Sequence, residues 1–213
     1  MKWILDEGRI LMKNLRKINI GLVLTIIIVL AVVIYSIVIE NQRKSSKEEI
    51  QRSCEEYIDL IDKYLVLPEN AQVLGEDAKN VNLDGYKSEL EKGLKSVMVN
   101  DSAVMIQKTI VSDYAEKDLL NTSTFVTSYD RKINKVKSYS FDGNQVTVVL
   151  DTKITIKHKY ADVNMETGEQ QERIKEDSYD KIIDTITLEK KDGKWKVVYS
   201  NLDFGGSEYR NAM

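Results

Sequence analysis

Residues Ile18 to Ile39 read INIGLVLTIIIVLAVVIYSIVI and carry no charge. About 20 consecutive apolar residues wound as a helix match the ~30 Å hydrocarbon core of a bilayer. The polar interruptions, Asn19, Thr25 and Ser36, are mild. The run therefore predicts one transmembrane helix over 18–39, with the lipid bilayer as its partner. It divides the chain into a short head (1–17), the span, a connector or helical stalk (40–45), one long domain (46–204) and a flexible tail (205–213).

Charge gives the span a direction. The head holds Lys2, Arg9, Lys13, Arg16 and Lys17 against Asp6 and Glu7, a net of +3, while the remainder holds 26 basic and 32 acidic residues. Basic residues close to a span stay on the cytoplasmic side. Arg43 and Lys44 flank the other end, accompanied by Glu40, Glu48 and Glu49. The expectation is a cytoplasmic N-terminus and a large domain outside the cell membrane. A cleaved signal peptide is the competing reading. It would need an apolar region of about 7–15 residues and a small-residue cleavage site, and SIVIENQRKSSK offers none. Cys54 lies too far from the span, behind Gln51-Arg52-Ser53, to be a lipid-attachment site.

Roughly 170 residues follow the span, enough for one domain with its own core. The single cysteine excludes an intramolecular disulfide, and one proline in 213 residues excludes Pro-rich linkers. A net charge of −3 gives no reason to expect a nucleic-acid partner.

The segment Ser46 to Leu65 has helical periodicity, with Ile50, Cys54, Tyr57, Ile61 and Tyr64 on one stripe. Ser46 with Glu49 three residues later matches a capping box, and Pro68 stops the element. After the polar stretch PENAQVLGEDAKN, Leu83, Tyr86, Leu90, Leu94, Val97 and Met98 mark a second helix starting near Asn82 or Asp84, weakened by Gly85 and Gly93. A third runs from Asp101 to Lys117, and Asn121-Thr-Ser-Thr reads as a loop.

From about residue 131 the period becomes two. Val146, Val148, Leu150, Thr152, Ile154, Ile156, His158 and Tyr160 alternate with Gln145, Thr147, Val149, Asp151, Lys153, Thr155, Lys157 and Lys159. This predicts a long strand with its even side chains buried. Asp142-Gly143 signals a hairpin from a preceding strand carrying Ile133, Tyr139 and Phe141. Beyond a Thr167-Gly168 loop, a strand spans Arg173 to Lys190. Its apolar set shifts between Ile183 and Ile182, Ile186 and Leu188, which predicts a bulge. Asp192-Gly193 turns into Trp195, Val197 and Tyr199, with Val198, Leu202 and Phe204 on the other parity, and Gly205-Gly206 ends the order. Helices first and strands afterwards predict an α+β domain, two to three helices on one face of a curved four-stranded antiparallel sheet.

That order, with its long final strands and the closing DGKWKVVYSNLDF, resembles the nuclear transport factor 2-like, or cystatin-like cone, superfamily over residues 46–204. The resemblance implies a sheet wrapped around a long N-terminal helix. The layout of short head, single span and outer domain also resembles the bitopic assembly subunits of type IV secretion and conjugation machines. It implies a membrane-anchored scaffold or interaction subunit of a cell-envelope assembly, with other envelope proteins or a second copy as partners. The alternative is an extracytoplasmic ligand-binding or sensory domain using the apolar cone interior. An isomerase- or dehydratase-like enzyme is the third reading, and it lacks a motif.

No catalytic, cofactor-binding or metal-binding residue is assigned. The sequence has no phosphate-binding Gly loop, Ser-His-Asp set or metal-ligand spacing. His158, the single histidine, falls on the core face beside Tyr160 and reads as a half-buried strand residue rather than a base or ligand at the cone mouth. Asp151, Asp177, Asp180 and Asp184 alternate with Lys153, Lys175 and Lys181, as on a solvated sheet face. Asp180 and Tyr179 cannot share a cone interior as acid and donor, because neighbouring strand residues point to opposite faces. Cys54 sits in the apolar stripe of the first helix and reads as a small buried hydrophobe; a disulfide between two stalks is the alternative.

Overall fold

The computed structural model describes residues 20–73, 81–121, 124–163 and 170–204. The expected head and tail, the start of the span, the Thr167-Gly168 loop and part of the polar stretch after Pro68 lie outside the described residues. The chain falls into two compact units that meet between Glu48 and Glu49.

Helix α1 covers Ile20–Tyr64. Its backbone is helical through residues 40–45, so Ser46 and Glu49 do not start a helix. No glycine or proline lies between Gly21 and Pro68 to break the run. Within the first unit, Val23, Leu24, Ile26 to Leu30, Val32 to Tyr35 and Ile37 are all exposed, from 40% at Val23 to 67% at Tyr35. Among the described residues no helix is long and apolar enough to cross a membrane. Described side chains of the run stop at residue 37, and the expected span Ile18 to Ile39 reaches beyond them at both ends.

In the second unit the rest of α1 buries Ile50, Cys54, Tyr57, Ile58, Ile61 and Leu65. This is the apolar stripe read from the sequence. A short 3-10 turn, Glu69–Ala71, follows Pro68. Helix α2, Asp84–Val97, and helix α3, Asp101–Leu120, come next. Asn100 caps α3 by accepting the backbone N–H of Ala103 at 2.9 Å. Gly93 lies where α2 passes α1: a Cβ there would stand 2.8 Å from Leu60 Cδ1. A residue that weakens the helix by itself thus lets two helices approach closely.

Four strands, β1 Thr124–Asp142, β2 Gln145–Val163, β3 Gln170–Lys191 and β4 Lys194–Asn201, form one antiparallel sheet in the order β1-β2-β3-β4. The chain is α+β, as expected. The even side chains of β2 from Val146 to Ile156 are buried, and His158 and Tyr160 are half-buried. Val146, Val148, Leu150, Ile154 and Ile156 share one core with α1, α2 and β3. Asp192 and Gly193 form the β3–β4 turn with φ of 52° and 79°, which is why Asn or Asp followed by Gly suits that site.

Two details differ from the sequence reading. Strand β1 begins at Thr124 rather than near residue 131. Phe125 and Val126 are both buried, Phe125 with Leu67, Ala71 and Leu83, and Val126 in the main core. Two-sided burial erased the alternation that marks a strand. The expected bulge in β3 is present: pairing jumps from Thr152–Ile182 to Ile154–Tyr179, and Lys181 has φ 61°. Before it, odd residues such as Tyr179 and Asp177 oppose the inward β2 side chains. After it, Ile182, Asp184, Ile186 and Leu188 do so.

Ile154→Ala should cost about 2–5 kcal/mol, as large-to-small changes at filled core sites do. Lys157→Ala, on the exposed parity, should change stability by about 0.5 kcal/mol or less. Urea unfolding of the two variants measures both, and equal losses would contradict the register.

Candidate functional site

The charged residues of greatest chemical interest lie inside the domain. Arg131 on β1 and Asp184 on β3 have side-chain exposures of 0%. Arg131 Nη1 donates to Asp184 Oδ2 at 2.5 Å. Its Nη2 donates to Tyr129 Oη at 3.1 Å and also to the backbone carbonyl of Asp203. Asp184 in turn accepts from Thr152 Oγ1 at 2.7 Å and from the backbone N–H of Asp203 at 2.9 Å. Asp62 of α1 stands on the remaining side, its Oδ1 3.7 Å from Arg131 Nε. Neither of those two atoms has a hydrogen-bond partner, although both are buried.

The two carboxylates are therefore unequal. Asp184 accepts three hydrogen bonds, one of them from a cation, and is well solvated by the protein. Burial pushes the Asp62 carboxyl up to about 7, against the pull of Arg131 and a backbone hydrogen bond from the same residue. Asp118 of α3 is a lesser case. It accepts from the backbone N–H of Val126 at 3.0 Å, and burial pushes its carboxyl up to about 6.

A second cluster lies farther along the β2–β3 ladder. His158 Nε2 is 3.6 Å from Asp177 Oδ2, with side-chain exposures of 13% and 18%. Lys175 Nζ is 3.0 Å from the other Asp177 oxygen. Burial lowers the His158 pKa; Asp177 opposes that and Lys175 adds to it. A His–carboxylate–Lys arrangement at a sheet face can hold charge. Among the described residues, no group of His, Cys, Asp and Glu is placed to hold a metal ion.

The solvated-face reading of the four aspartates needs correction. Asp184 is fully buried in the Arg131 network, and Asp151 is also buried, with Asn134 Nδ2 at 3.3 Å and Lys135 Nζ at 3.9 Å. The bulge at Lys181 puts Asp184 on the inward parity. Asp180 is exposed and lies 3.8 Å from Lys153, while Tyr179 packs against the core, so the two are not brought together. Cys54 is buried, and burial pushes its thiol up to about 12.

Asp62 and Arg131 are the residues that sequence reading missed. The signal was present: Asp62 lies four residues after Ile58 on the buried stripe, and Arg131 lies between Tyr129 and Ile133 on the inward parity. Each is a charge at a core position.

Arg131→Ala should cost about 3–5 kcal/mol in urea unfolding, because it strands buried carboxylates without their counter-charge. Cys54 should react with a thiol reagent only as fast as the domain unfolds, since the thiolate is the reactive form. A rapid reaction in native buffer would place it at the surface.

No family model and no curated protein matches the chain. Solved structures similar to it include the intermembrane space region of chloroplast protein ARC6, at 15% identity over 71% of this chain and 94% of that one, with a TM-score of 0.30. Another is a nuclear transport factor 2 (NTF2-like) superfamily protein from Salmonella enterica, at 13% identity over 78% of this chain and 97% of that one, with a TM-score of 0.33. Superpositions this loose carry no argument about what the chain does.

Proposed function

We propose that the chain is a membrane-anchored interaction subunit of a cell-envelope assembly, with its N-terminus cytoplasmic and its α+β domain outside. The observation that carries this reading is the helical run from Val23 to Ile37, whose aliphatic side chains are exposed on every side. An exposed apolar surface of that extent needs a cover, either lipid or protein. The uncharged sequence from Ile18 to Ile39 has the length that a bilayer requires.

For the domain, contact rather than catalysis is supported by how the inward sheet face is used. Tyr57, Ile61, Leu150, Ile154 and Ile186 fill it, and Arg131 and Asp184 pair with one another within it. Helix α3 carries Met105, Ile106 and Ile110 on its exposed side, as a surface used for association does. Confinement to a membrane raises effective concentration, so weak contacts suffice. A conjugative transfer machine is the setting proposed, on the layout of head, span and outer domain.

The full chain expressed in bacteria should sediment with membranes, resist alkaline carbonate and be released by detergent. Protease added to intact protoplasts should remove the domain and leave the head with its span. Release by carbonate would overturn the anchor, and protection of the domain would reverse its orientation.

A further inference from the structure

The cluster around Arg131 holds two carboxylates for one guanidinium in a space largely closed to water, with Arg131 and Asp184 at 0% and Asp62 at 9% side-chain exposure. If both were ionised, the buried site would carry a net charge of −1, which is costly in a medium of low polarity. One proton removes that charge, and the hydrogen bonds decide where it goes. Asp184 accepts three hydrogen bonds, from Arg131, Thr152 and the Asp203 backbone N–H. Asp62 accepts one backbone hydrogen bond, from Arg131, and its buried Oδ1 has none. It also lies in the last turn of α1, which ends at Tyr64, where the helix dipole is already negative.

We propose that Asp62, Arg131 and Asp184 form a proton-dependent latch, in which protonated Asp62 lets the end of α1 dock against β1 and proton release loosens that contact. The groups facing Asp62 are consistent with this. Asp59 on its own helix and Asp130 on β1 both act against its ionised form, and Arg131 opposes them. Tyr129 stands beside Arg131 on the same strand, and Asp184 reaches the cluster from β3. The segment after β4 is held by the same guanidinium through the Asp203 carbonyl.

The sign follows from linkage. Burial raises the folded-state pKa of Asp62 from 3.8 to about 7, so the folded chain keeps a proton that the unfolded chain has released. The stability from this proton is fully present below the unfolded value and is lost as pH rises through the folded one.

The test compares the full-length chain in detergent with Asp62→Asn, which carries the neutral form permanently. The ratio of their unfolding constants, wild type over variant, should rise by up to about tenfold per pH unit between pH ~4 and ~7, then level off. Asp118 and His158 are common to both chains and cancel in the ratio. A carbon-detected NMR titration of the native wild type should give an Asp62 midpoint near neutrality, and this measurement stands even if the variant fails to fold. A ratio independent of pH, or a midpoint near the ordinary carboxylate value of about 4, would overturn the proposal.

Discussion

A guanidinium with no exposure depends on the protein for its partners, and four parts of the chain surround Arg131, leaving its Nε without a hydrogen bond. Asp184 comes from β3, Tyr129 from its own strand, the Asp203 carbonyl from the segment after β4, and Asp62 from the end of α1. The apolar core supplies most of the driving force for folding, since burial of hydrocarbon is non-directional and scales with area. It does not by itself choose how far along the sheet the helix lies. The Arg131 network is directional, and through Asp62 it brings the end of the helix to one place on β1.

The bulge in β3 makes the network possible. With Lys181 at φ 61°, the strand changes which parity faces inward, and Asp184 joins Ile182 and Ile186 on the core side. A regular strand would put Ile183 there instead. That residue is 46% exposed, a small loss set against placing the carboxylate that Arg131 needs.

Much of the architecture was readable because the pattern is strong where only one face is buried. The even residues of β2 and the stripe on α1 show this, as does the Asp192-Gly193 turn. The start of β1 was not readable, because Phe125 and Val126 are buried on opposite sides and leave no alternation. Asp184 was misread for a related reason. Its neighbours Lys175 and Lys181 are surface residues, and position in a list of charges says nothing about parity across a bulge. Asp62 and Arg131 are inconspicuous in the sequence because a charge on an apolar stripe reads as a gap in the periodicity. Partners 53 residues apart, as Arg131 and Asp184 are, leave no local signature.

Both margins of the sheet carry features that restrict further strand pairing, although β4 pairs with only the Thr185 to Lys191 part of β3. Along β4, the backbone N–H of Val99 donates to the Val197 carbonyl at 2.9 Å, and Met98 pairs with Val197. Along β1, the ladder with β2 is broken by three register shifts, and Lys132, Lys135 and Lys137 stand along the strand. Irregular, lysine-bearing margins are poor templates for another strand. Copies of the domain side by side would therefore find β1 a poor template for a continuous ribbon.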